Sequence, residues 1–170
     1  MLRFLAVLFL AAGLPVPAMA QTAKEAAAVA AISEKALIRT PAKKLFAAQK
    51  QPAAMKARAI GSYAKGCLAG AKALPLDGPA WQVMRKSRNR YWGHPALVAL
   101  VERLAIEAKE KDGWNGLLVG DLAQPRGGPM LSGHASHQVG LDADVWLNQM
   151  PNRTLTDAER ENIESTLVVK

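Results

Sequence analysis

Residues 133 to 146 read GHASHQVGLDADVW, which places His134, His137, Asp142 and Asp144 within eleven residues. Beyond His137 the pattern becomes an alternation, with Leu141, Ala143, Val145 and Leu147 separated by Asp142, Asp144 and Trp146. A strand here turns the apolar set inward and both carboxylates to the opposite face. Two imidazoles on a Gly-flanked turn then face two carboxylates on a strand. Neutral imidazole and carboxylate are ligand types that zinc accepts, and catalytic zinc sites use three protein ligands with a fourth position for water. His137 and Asp144, seven residues apart across Gly140, can converge on one ion. Asp142, on the same face, is placed to orient a ligand histidine or to handle a proton. The same residue types also occur at ordinary loop-to-strand junctions, and a His-x-x-His spacing alone does not separate the two readings.

Working outward, GLLVGD at 116–121 reads as a buried strand, and the loop LAQPRGGPMLSG that follows delivers the histidines. Residues 95–111 carry Leu97, Leu100, Val101, Leu104 and Ala108 at helical spacing. Pro95 suits the first helical position and Asp112-Gly113 the stop. His94 precedes that helix and reads as a capping or packing residue. Between Ile60 and Arg85, frequent Gly and Pro separate short apolar pieces, which predicts short strands and loops, with Trp81–Met84 as one such strand. The cluster Arg85, Lys86, Arg88 and Arg90 reads as a solvated loop or, more sharply, as a contact for an acidic substrate. Downstream, Thr156 and Glu159 form a capping box that starts a short helix through about Ser165.

The first twenty residues have the layout of a secretory signal peptide: Arg3, an apolar run from Phe4 to Leu14, and Ala18-Met19-Ala20 as a cleavage site. The run is shorter than the ~20 residues a membrane span needs and is followed by Pro15 and Pro17. The expected mature chain starts at Gln21, lies in the periplasm without a membrane anchor, and carries +7 once Arg3 is removed from the net charge of +8. Residues 21–58, rich in alanine and lysine, read as a loosely attached N-terminal arm, with order beginning near Ile60. A basic exported domain suits anionic partners such as cell-wall polymer. Its basic residues are not interleaved with stacking aromatics, which argues against nucleic acid. Cys67 is the only cysteine.

GHASHQVGLDADVW resembles the zinc signature of the penicillin-insensitive murein endopeptidases, exported bacterial enzymes related to the lysostaphin, D-alanyl-D-alanine carboxypeptidase and hedgehog group of metallopeptidases. IGSYAKGCLAGAKALP at 60–75, WQVMR at 81–85, RYWGHPALV at 90–98 and LLVGDLAQPRGG at 117–128 resemble the same family in order and spacing. The resemblance implies an α+β fold, a small antiparallel sheet with flanking helices. It also implies that residues 59–170 are the N-terminal part of a metallopeptidase domain. It implies that His137 and Asp144 are zinc ligands and that His134 lies at the metal as ligand or close neighbour, with Asp142, from its place on the same face, as a supporting residue behind them. The implied activity is hydrolysis of D-alanyl-diaminopimelate cross-links in peptidoglycan by metal-activated water. The family pattern continues to a later His-x-His that holds the third ligand and a catalytic histidine, and to cysteines that pair with a residue like Cys67. This chain has no histidine after His137 and no second cysteine. The expectation is therefore a shortened form of a longer enzyme, with a non-catalytic peptidoglycan-binding module as the alternative. Oligomeric state is not specified by any of these features.

Overall fold

The structure, a computed structural model, describes residues 40–133 and 135–166. The expected signal peptide, the arm as far as residue 39, and His134 lie outside the described residues. The first described element is helix α1, Ala42–Ala47. The segment from 41 to 58, read from sequence as a loose arm, thus carries a helix whose Phe46 ring stands against Gly128. Strands β1 (Arg58–Ser62) and β2 (Lys65–Ala69) form an antiparallel hairpin, and Cys67 sits half-buried on β2 opposite Ile60. Short strands β3 (Lys72–Ala73) and β6 (Trp92–Gly93) pair with each other.

The central sheet has the order β4-β5-β7-β8, made of Asp77–Gly78, Trp81–Val83, Leu117–Val119 and Val145–Gln149. Its outer pairings are antiparallel, but β5 and β7 run parallel. That follows from helix α2, Pro95–Lys111, which lies between them in sequence and carries the chain back to the same end of the sheet. The architecture is α+β with small sheets and flanking helices, as the short strands and one long helix suggest. Among the described residues no helix is long and apolar enough to cross a membrane.

Helix α2 starts and stops where its sequence signals lie. Pro95 occupies the first turn, and His94 caps it by accepting the Ala96 N–H on Nδ1 at 3.2 Å. Its buried face differs in rotation from the expected one. Leu97, Val98, Val101, Ala105 and Ala108 are buried, whereas Leu100 and Leu104 are about half exposed. An apolar stripe about 100° wide is anchored at Leu97 and extends toward Val98, away from Leu100 and Leu104. This stripe packs on Leu74, Trp81, Val83, Leu117, Val119 and Leu122. Each fully buried Val or Leu there contributes roughly 1.5–3 kcal/mol.

On the other side of the sheet Met84, Leu118, Met150 and Leu155 form a second core, with Trp146 and Ile163 against it. The capping box at Thr156 is present and opens helix α3, Asp157–Asn162. Arg160 of that helix is 1% exposed. Its guanidinium donates to the carbonyls of Leu155, Leu76 and Val83, to Gln82 Oε1 and to Asp77, and so ties α3 to β4 and β5.

Candidate metal centre

Residues 141–144 belong to no ladder, and β8 begins only at Val145. The expected inward packing of the apolar set holds only for Ala143, which rests against the main core. Leu141, Val145 and Leu147 are 53, 37 and 52% exposed, while Trp146 turns inward opposite Leu118. The cause is position in the sheet. β8 is an edge strand beyond the core that α2 covers, so the side with large apolar neighbours is that of Leu118 and Met84, and it takes the tryptophan.

Asp144 is fixed by backbone bonds in both directions. The Gly120 N–H donates to Asp144 O at 2.8 Å and the Asp144 N–H donates to Asp121 O at 2.9 Å. Gly120 has no side chain because none fits. A Cβ there would lie 2.8 Å from Trp146 Nε1 and 3.1 Å from Asp144 Cβ. On the other side, the histidine loop is pinned by Gln138. This buried side chain accepts from Gly66 N and donates to the carbonyls of Ala64 and Ala135. The reversal at Gly140 has φ +67°, and a Cβ there would meet Leu68 Cδ2 at 2.5 Å. Gly140 O accepts the His94 N–H at 2.8 Å, so the cap of α2 also holds this turn. His94 therefore acts structurally and is not brought to the ring of His137.

His137 is 2% exposed and holds φ +65°, a conformation uncommon for a residue with a Cβ. Its ring lies between the two carboxylates. Nδ1 is 2.8 Å from Asp142 Oδ2, which also accepts the His137 backbone N–H at 3.2 Å. Nε2 is 3.5 Å from Asp144 Oδ1. Burial pulls the imidazole pKa down, but the hydrogen bond to Asp144 and the charges of Asp142 and Asp144 outweigh it, so the net shift is upward from 6.5. Asp142 Oδ1 is buried without a hydrogen-bond partner among the described residues. The field at this ring favours positive charge.

The spacing fits zinc in one respect that can be checked. Two donors of a tetrahedral zinc with bonds near 2.1 Å lie about 3.4 Å apart, close to the separation of Nε2 and Asp144 Oδ1. Asp142 lies on the Nδ1 side of the ring and Asp144 on the Nε2 side, so the two ring nitrogens face different carboxylates. Among the described residues no three His, Cys, Asp or Glu side chains are grouped to hold a metal ion.

The model of the penicillin-insensitive murein endopeptidase family matches residues 59–170. The chain belongs to this family. A penicillin-insensitive murein endopeptidase of Haemophilus influenzae is 51% identical over 114 residues, which are 67% of this chain and 39% of the relative. Family members of the same name from Klebsiella pneumoniae and Yersinia enterocolitica are 45 and 48% identical over 109 and 102 residues, 64 and 60% of this chain. The chain aligns with 39 and 36% of those two relatives, so it spans well under half of the family members it matches.

The basic cluster is solvated only in part, with Arg88 its exposed member. Arg90 is buried and bonds Asp121 Oδ2 at 2.8 Å, and its other nitrogen donates to Ser132 O, which steadies the loop leading to the histidines. Arg88 reaches the same Asp121 oxygen at 3.2 Å, and Lys86 pairs with Asp157. The Arg85 guanidinium lies 5.5 Å from the centre of the Trp146 ring. Asp121 had only one signal in the sequence, its place at the end of a buried strand.

Proposed function

We propose that this chain is part of a zinc-dependent murein endopeptidase that hydrolyses D-alanyl-diaminopimelate cross-links in the periplasm, after export by the signal peptide at residues 1–20. The observation that carries the reading is the 3.5 Å between His137 Nε2 and Asp144 Oδ1, with Asp142 on the far ring nitrogen. The names of the family relatives support the peptidoglycan substrate. His137 and Asp144 would hold the metal, with His134 as the third donor this chain offers. Zinc supplies Lewis acidity, which acidifies water and polarises an amide carbonyl. Asp142 sets a negative charge 2.8 Å from Nδ1 and accepts the His137 backbone N–H, which would hold the ring in place for the metal. Asp144 brings a negative charge that balances a dication, and the 120–121 backbone holds it in position. The catalytic histidine expected from the family pattern is not among residues 1–170.

A non-catalytic peptidoglycan-binding module is the second reading, favoured by the net charge of +8, which suits an anionic wall polymer. Two measurements separate them. Calorimetric zinc titration of the full chain is expected to show one-to-one uptake that Asp144→Ala weakens by about a hundredfold, or ~2.7 kcal/mol. Release of muropeptides from purified sacculi is expected only with zinc present and only from a chain that also carries the later His-x-His of the family pattern. Sacculus binding that survives Asp144→Ala, without zinc uptake or muropeptide release, would establish the module instead.

A further inference from the structure

A cleft of about 580 Å³ opens beside Asp144, and its other walls include Arg85, Arg88, Trp146, Ser165 and Thr166. Its basic wall carries more positive than negative charge. Arg85 and Arg88 line the cleft together with one carboxylate, Asp144, while Arg88 shares Asp121 with Arg90, which makes the shorter contact. Arg85 has no carboxylate partner among the described residues. One of its nitrogens donates to Ile163 O at 3.1 Å, and its plane rests near Trp146. The Arg88 side chain is 46% exposed and spends one nitrogen on Asp121. Both guanidiniums therefore keep N–H donors to spare. The backbone is arranged for this presentation: Arg85 has φ +53° and Asn89 φ +52°, bracketing the 3-10 turn Lys86–Arg88. Left-handed residues with side chains concentrate where surrounding structure holds them for a purpose.

We propose that this cleft is a carboxylate-binding subsite, in which Arg85 and Arg88 hold a free carboxylate of the peptide whose scissile amide lies at His137 and Asp144. The planar fork of arginine matches a carboxylate with two parallel hydrogen bonds, which a lysine does not reproduce. The inference rests on the hydrolase reading. Under that reading, the diaminopimelate on the amine side of the cross-link carries a carboxylate next to the scissile nitrogen. Arg85 and Arg88 are then positioning residues that select an acidic residue on that side. Trp146 supports Arg85 and so links the sheet edge to substrate choice.

The test compares two blocked D-alanyl-diaminopimelate peptides that differ only at that carboxylate, one the free acid and one the carboxamide. Binding to the full chain is measured by calorimetry with EDTA present, so that zinc neither turns the peptide over nor captures the carboxylate itself. The free acid is expected to bind about tenfold tighter, the scale of one charge-assisted contact. Arg88→Gln should collapse that ratio toward one and leave the carboxamide unaffected, with Arg88→Lys restoring part of it. Arg85→Lys serves beside Arg85→Gln, since it keeps the charge over Trp146 if the glutamine variant unfolds. Equal affinities in the wild type, a ratio that survives both arginine substitutions, or no binding of either peptide would overturn the subsite. Zinc uptake by the full chain is read separately. Uptake without an acid preference sinks the subsite alone, and an acid preference without zinc uptake sinks the hydrolase reading alone.

Discussion

Arg160 and His137 are both polar side chains withdrawn from water, at 1 and 2% exposure, and the molecule treats them in opposite ways. Arg160 is surrounded by acceptors. Three backbone carbonyls, an amide oxygen and a carboxylate meet its nitrogens. His137 sits on left-handed backbone between two carboxylates, and one oxygen of Asp142 beside it has no hydrogen-bond partner among the described residues. A buried charge whose partners are complete holds elements together. A buried cluster with surplus negative charge and backbone strain is arranged for something that arrives. Burial alone would have grouped these residues, and the accounting of partners separates them.

The sharpest way to break this contrast is to remove Arg160. Arg160→Met fills similar volume but leaves the carbonyls of Leu76, Val83 and Leu155 and Gln82 Oε1 short of donors. A loss of about 3 kcal/mol is expected in urea unfolding, toward the low end for a broken buried pair because Asp77 is half exposed. Zinc affinity of the folded fraction should not change. A loss below ~1 kcal/mol would mean that the network around Arg160 is not what joins α3 to the sheet.

Substitution at the other pole should reverse the pattern. Asp142→Asn keeps shape but removes the charge that orients Nδ1, and outer-shell changes of this kind typically cost 10- to 100-fold in metal affinity. About a tenfold weaker zinc Kd, or ~1.4 kcal/mol, is expected by calorimetry, with unfolding of the metal-free protein little affected. Because zinc displaces the proton that the raised His137 pKa favours, its affinity should also fall as pH drops below neutrality. A zinc Kd unchanged by Asp142→Asn would remove this carboxylate from the metal site.

The two regions were not equally legible. The Thr156 and Glu159 capping box, the limits of α2 and the strand at Leu117–Val119 follow from local signals: caps, Pro and Gly punctuation, and apolar runs. His137, Asp142 and Asp144 were visible as a motif because their chemistry is close in sequence. Arg160 gave no such sign, since DAEREN has the composition of an exposed helix and its partners lie about eighty residues upstream. The facing of Val145, Trp146 and Leu147 was misread for a related reason. Alternation shows that a strand has two faces, but which face is covered depends on whether α2 reaches the edge of the sheet. The parallel pairing of β5 with β7 likewise depends on a crossover that no local pattern reports.

The smallest expected effect tests the exposed end of the Arg160 region and works through pH. Glu159 accepts from Arg153, which is the main cause of its depressed pKa, and from the backbone and hydroxyl of Thr156, which together bring it from 4.5 to about 2. A carboxylate whose pKa is lower in the folded state stabilises the fold fully above its unfolded value. That contribution is lost as pH falls from about 4.5 through about 2. Solvent screening keeps it modest, since both members of the Arg153–Glu159 pair reach solvent. Thermal midpoints measured down this range should fall more steeply for the wild type than for Glu159→Gln, with the two curves converging at the acid end. Salt should narrow the gap between them. His137 has the opposite sign in the metal-free protein, because its raised pKa makes a contribution that is present below 6.5 and lost as pH rises through the folded value. An acid limb that Glu159→Gln leaves unaltered would show that the ion pair at the helix start holds nothing, which leaves Arg160, with the contacts of Asp157 and Glu161, to attach α3.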